Sequence, residues 1–144
     1  MKIIVEQSLD CKEPEIRIIC GLKDERLNRL IDYVRQFAFS IPVSEEGRTL
    51  TVALEDIYYI DTVDNKTFVY LKTEMYESDL KLYQLEEMLK DTPFIRISKS
   101  CIVNIAAIKS VGVLFSGQME AVMKNDEKLI VSRHYLKPFR DKFM

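Results

Sequence analysis

Residues 94–108 read FIRISKSCIVNIAAI, and they decide how the rest of the chain is understood. The stretch opens in strict alternation. Phe94, Arg96, Ser98 and Ser100 fall on one side, and Ile95, Ile97 and Lys99 on the other. A period of two predicts a strand entering a sheet edge. Residues 101–108 are then almost wholly apolar, as a buried stop would be. One short segment therefore holds Arg96, Ser98, Lys99 and Ser100 at the mouth of a hydrophobic anchor. Cations and hydroxyls fixed on a rigid rim suit a phosphate backbone or a base edge. The same residues would equally suit an edge strand kept soluble by a Lys and an Arg. The segment alone does not choose between the two.

The 144 residues, 47% of them apolar, are enough for one domain with a real core and a small appendage. No apolar run reaches the roughly 18 residues of a membrane span. The opening MKIIVEQSLD places Glu6 and Asp10 where an export signal needs apolar residues. Cys11, Cys20 and Cys101 are widely spaced with no CxxC pair, which predicts free thiols in a reducing cytoplasm. The net charge of −2 hides an asymmetry. From Phe94 onward there are nine Lys/Arg and four Asp/Glu, whereas the first 93 residues hold twelve and nineteen. An acidic front and a basic rear predict a polyanion-binding face confined to the C-terminal third.

Outward from the opening stretch, the chain reads as mostly β. Residues 2–6 (KIIVE) and 15–20 (EIRIIC) predict two strands, and a helix follows from Leu22 with Leu27, Leu30, Ile31, Val34 and Phe37 on one face. This strand–strand–helix unit, residues 1–38, is too small to be stable alone and is a candidate dimerisation unit. Residues 38–43 and 49–53 predict a hairpin around Glu45-Glu46-Gly47, with a helical turn at 54–56. Residues 57–63 (IYYIDTV) and 67–72 (TFVYLK) are the plainest strands, joined by Asp64-Asn65-Lys66. A strand at 74–78 precedes a helix over 80–90, capped by Ser78 or Asp79. Three strands at 110–115, 118–123 and 128–131 turn at Ser116-Gly117 and Asn125-Asp126. Ser132 is an N-cap candidate for a last helix that Pro138 makes kinked or irregular, and Arg133 and His134 leave the sheet at its N-terminus.

At this point the chain resembles the LytTR DNA-binding domain of bacterial transcription regulators. The likeness rests on Arg96, Lys99, Ser100, Ile102, Val103 and Asn104 of the opening stretch, then Ile108, and on the closing Leu-Ile-Val-Ser-Arg of residues 129–133 with Tyr135 and Leu136. Glu55-Asp56-Ile57-Tyr58-Tyr59-Ile60 through Val69 also fits, so the likeness spans residues 39–144. It implies stacked β-sheets with short helices that present loops, rather than a recognition helix, to successive DNA grooves. It implies DNA contacts at Lys66 with Asn65 beside it, at Lys99, and at Arg133 and His134. His134 stands where relatives often carry Arg. Near neutral pH an imidazole is a donor and acceptor that can read a base but neutralises phosphate poorly. Arg96, equally suited to pairing with a carboxylate, completes the candidate set with Ser98 and Lys137. The family's two-component members carry a receiver domain, which residues 1–38 are too short to form. Control therefore falls to a protein partner, an adjacent membrane protein or the level of expression.

The expectation is a cytoplasmic, sequence-specific regulator that binds duplex DNA as a homodimer, with no cofactor, metal or small-molecule substrate. The alternative is a protein-interaction module that uses exposed β edges. An enzyme is disfavoured: His134 is the only histidine, and no HExxH, P-loop or GxSxG occurs.

Overall fold

A computed structural model describes residues 1–90 and 92–143, with the side chains of residues 32, 33 and 35–37 outside the description. The expectation for the Phe37 side chain lies among these. The first helix, α1, runs Glu25–Ala38. Asp24 starts it, its Oδ1 accepting the Leu27 N–H at 2.8 Å, so the helix begins three residues later than the periodicity alone predicts. Strands β1 (Ser40–Glu45) and β2 (Arg48–Ala53) form the expected hairpin. Glu46 and Gly47 turn it with φ of 49° and 77°, the left-handed pair that suits a two-residue hairpin. A 310 turn at Leu54–Asp56 leads to β3 (Tyr59–Val63), β4 (Lys66–Tyr70) and β5 (Met75–Ser78).

Helix α2 (Leu82–Met88) is shorter than expected. Its first turn is closed by Gln84, whose Oε1 accepts the Lys81 N–H at 2.8 Å. Ser78 instead receives the Leu80 N–H and shapes the approach. Strands β6 (Phe94–Arg96) and β7 (Cys101–Asn104) follow, then β8 (Ile108–Val113), β9 (Met119–Met123) and β10 (Lys128–Val131). The chain then makes a 310 turn at Arg133–Tyr135 and helix α3 at Leu136–Phe143. Pro138 sits in the first turn of α3, where its missing N–H has no helical partner to lose, so the irregularity precedes the helix instead of kinking it.

The strands make two sheets. Seven lie in the order β2-β1-β5-β4-β3-β7-β6, and three in the order β10-β9-β8. Among the described residues, every pairing within both is antiparallel. Alternation assigns the two faces of the large sheet. Ile41, Val43, Ile60, Val69 and Ile102 join Leu82, Leu85 and Leu89 of the α2 region in one core. Tyr59, Cys101 and Val103 point the other way and join Ala121, Met123, Val131 and Phe139 in a second. Strand β7 is thus covered on both faces, which explains why its sequence is a continuous apolar run. A phenol–carboxylate bond from Tyr59 to Glu127 ties the sheets across the second core, and Tyr59 stacks on Tyr70 at 4.4 Å. Burial, reinforced by Glu127, pushes the Tyr59 phenol well above its ordinary pKa. Asn104 closes β7 from within the core: its amide donates to Ile57 O at 2.8 Å and its Oδ1 accepts the Ala106 N–H at 3.0 Å.

Two larger expectations are overturned. Residues 1–24 contain neither of the two strands expected at 2–6 and 15–20. A β segment without a partner edge has no ladder and no buried face to hold it. Accordingly Ile3, Val5, Leu9 and Ile19 are all exposed. The opening stretch is also not one strand running into a stop. It is a hairpin, β6 and β7, with residues 97–100 as its loop.

Candidate nucleic-acid interface

The strand directions put four connections at one end of the molecule. Val63 pairs with Lys66, so only Asp64 and Asn65 form the β3–β4 turn. Both have positive φ, 52° and 65°, which Asn and Asp tolerate better than most residues. Lys66 opens β4 immediately beside that tip and is exposed. Strand β7 runs antiparallel to β3 with Asp61 opposite Cys101, which brings residues 98–100 alongside. Thr62 locks the two together, its N–H donating to Ser100 O at 2.9 Å. On the other flank, the Ser132 N–H donates to Ile97 O at 2.8 Å and seats the Arg133–Tyr135 turn beside the same loop. Backbone bonds thus join three separate loops into one rim.

The 97–100 loop is tightly specified. Ser98 Oγ accepts the Ser100 N–H at 3.2 Å, a local bond that competes with strand pairing and ends the alternation there. Arg96 does the rest. Its Nε donates to Ser98 O at 3.0 Å, its Nη2 to Lys99 O, and its Nη1 to the Glu86 carboxylate at 3.1 Å. The guanidinium is therefore occupied inside the protein, while the Lys99 side chain stands exposed at the apex it supports. Arg96→Ala is expected to cost about 1–3 kcal/mol of stability, since it deletes charge-assisted bonds to two carbonyls and a carboxylate. It should also speed amide exchange at Ser100. Thermal unfolding together with hydrogen exchange would check both.

The sequence-predicted residues divide accordingly. The rim brings together Asn65, Lys66, Lys99, Arg133 and His134, all exposed. Ser98 lies in the rim but spends its hydroxyl on the loop. Lys137 is exposed in the first turn of α3, one helical turn from the 310 segment. Lys109 stands at the far end of β8 and pairs with Asp126 at 3.1 Å.

Sequence reasoning missed the fourth connection. The β8–β9 turn at residues 114–118 reaches the same rim, because Val131 and Val113 both pair with Met119. Arg133 fastens it there, Nη2 donating to Ser116 O at 2.6 Å. The available signal was an aromatic residue, Phe115, directly before the Ser116-Gly117 turn.

Cys101 offers no reactive thiol. Burial, with Asp61 nearby, pushes its pKa far upward, so it behaves as a small core hydrophobe. Among the described residues, no group of three His, Cys, Asp or Glu is placed to hold a metal, and no helix is long and apolar enough to cross a membrane.

The "Sensory transduction protein LytT" of Enterococcus faecalis is 30% identical over 103 residues, covering 72% of this chain and 43% of its own. Its Bacillus cereus namesake is 32% identical over 107 residues, covering 74% and 43%. The "Transcriptional regulatory protein LytR" of Staphylococcus aureus is 27% identical over 137 residues, covering 94% and 54%. The chain thus spans about half the length of these curated relatives. Among solved structures, the LytTr DNA-binding domain of a Bacillus cereus protein described as a methyl-accepting/DNA response regulator superposes with a TM-score of 0.67. That match has 25% identity and covers 72% of this chain and 95% of that domain. Residues 47–144 match the LytTr DNA-binding domain, and the chain belongs to that family.

Proposed function

We propose that this chain is a transcription regulator that binds duplex DNA sequence-specifically through the rim, without enzymatic activity. One observation carries the reading: the loops holding Lys66, Lys99 and Arg133/His134 are drawn to one end by the Thr62–Ser100 and Ser132–Ile97 backbone bonds. The cations lie on strand ends of a rigid double sheet, the placement that a groove-reading surface needs. Lys66, Lys99 and Lys137 neutralise phosphates, and Asn65, Lys99 and His134 are offered to base edges. Arg133, with one N–H committed to Ser116, positions the rim and adds charge. Arg96 and Ser98 shape the Lys99 loop from behind.

The test is binding to the duplex upstream of the chain's own gene across a salt series. An interface with about four phosphate contacts predicts a log–log slope near −3.6. A flat dependence would favour recognition of another protein chain over DNA.

Residues 1–38 carry a second part of the proposal, self-association into a dimer on repeated half-sites. Ile3, Ile4, Val5, Leu9, Ile16 and Ile19 are exposed in the single chain, a concentration of apolar surface that favours an interface. Deleting residues 1–38 is expected to convert a dimer into a monomer in solution, judged against the mass of the shortened chain, and to leave the sheets folded. An unchanged oligomeric state would remove the segment from the dimer. A regulatory protein or membrane partner would engage the same segment.

A further inference from the structure

We propose that Phe115 is an additional DNA contact, an apolar side chain at the apex of the β8–β9 turn that enters a groove and packs against the bases. The inference rests on the DNA-binding reading of the rim. Phe115 is wholly exposed, at 114% of the reference area, and is the most exposed large hydrophobic residue described. It occupies the second position of a tight turn. The Gly117 N–H donates to Leu114 O at 2.9 Å and the Leu114 N–H to Gln118 O at 2.8 Å, with Gly117 at φ 84° completing the reversal. A polar residue would serve at such an apex, and folding gains nothing from a ring that stays in water.

The position gives the ring a use. The Arg133 guanidinium holds Ser116 O at 2.6 Å, so the residue after Phe115 is fixed to the turn that carries His134. The tip therefore does not project into a separate region of surface. It extends the row formed by the 64–66 tip, the 97–100 loop and the 133–135 turn. Apolar side chains beside cations on a DNA-facing surface contact thymine methyl groups or wedge between base steps. Such a contact adds sequence preference and no counterion release, so it is separable from the lysines by experiment.

The probe is a duplex recovered by selection from a randomised pool with the wild-type full chain, compared with a random-sequence duplex of equal length. Phe115→Ala is expected to weaken binding to the selected duplex about 10-fold, with binding to the random duplex and the salt slope unchanged. Phe115→Leu should restore most of the loss. The ring is fully exposed, so thermal stability should match wild type in both variants. Wild-type affinity for Phe115→Ala on the selected duplex would overturn the proposal. So would a loss accompanied by a change in solution mass, which would assign Phe115 to a contact between protein chains. If wild type itself recovers no duplex and shows no salt-steep binding, the DNA reading of the whole rim fails. Loss of the Phe115 contact alone leaves that reading standing.

Discussion

Lys99→Ala is expected to abolish specific duplex binding while the protein stays folded. Lys99 is exposed at the apex of the 97–100 loop, and its ammonium makes no ion pair among the described residues. Removing it therefore disturbs no packing, and the change in stability should fall within about 0.5 kcal/mol. On DNA the same side chain loses a phosphate or base contact worth about 1–3 kcal/mol of discrimination. That is about a 5- to 150-fold loss of operator affinity, which removes the preference for the operator when one or two such contacts carry it. The salt slope should shrink by about one unit if the contact is to phosphate, and remain if it is to a base. Gel-shift titration beside a thermal melt checks both halves. A variant with full operator affinity would take Lys99 out of the interface.

Phe139→Ala should have the largest effect on stability, a loss of about 3–5 kcal/mol. Phe139 is completely buried in the second core with Met123 and Val131, and it anchors α3 to the sheets. Its ring also stacks on Phe143 at 5.6 Å. The consequence should reach the rim. Helix α3 follows the Arg133–Tyr135 turn directly, and Lys142 at its end donates to Phe94 O at 2.9 Å on β6. Loosening α3 frees both the His134 segment and the strand leading to Lys99. Chemical denaturation should show the lower midpoint, and duplex binding should weaken at temperatures where the core is still intact. A Phe139→Leu variant should lose less of both.

Much of this architecture was legible in the residues. The Asp64-Asn65 turn announced itself because those two side chains suit left-handed backbone, and the strands on either side are β-branched and aromatic. The three-strand C-terminal unit was equally plain from its turns. What periodicity could not resolve was the break inside residues 94–104. Alternation continues through Ser98 and Lys99 on paper, but the Ser98 hydroxyl captures a backbone N–H and Arg96 captures two carbonyls. Those bonds reverse the chain, and a period of two carries no information about them. For the same reason periodicity leaves Arg96 open between a DNA contact and a carboxylate partner, because Glu86, its long-range partner, lies on another element. The N-terminal strands failed differently. Residues 2–6 and 15–20 have strand composition, but pairing depends on an available edge that composition does not describe.

On this reading duplex DNA sits across the rim formed by the 64–66, 97–100, 115–117 and 132–135 segments. Amide chemical-shift mapping of the full chain, titrated with the selected duplex, tests it most directly. Binding at the rim should concentrate perturbations at Asn65, Lys66, Lys99, Ser100, Ser116 and His134, fading towards the opposite end of the sheets. Perturbations centred instead on the far turns at Glu46-Gly47 and Asn125-Asp126, or on residues 1–24, would contradict it.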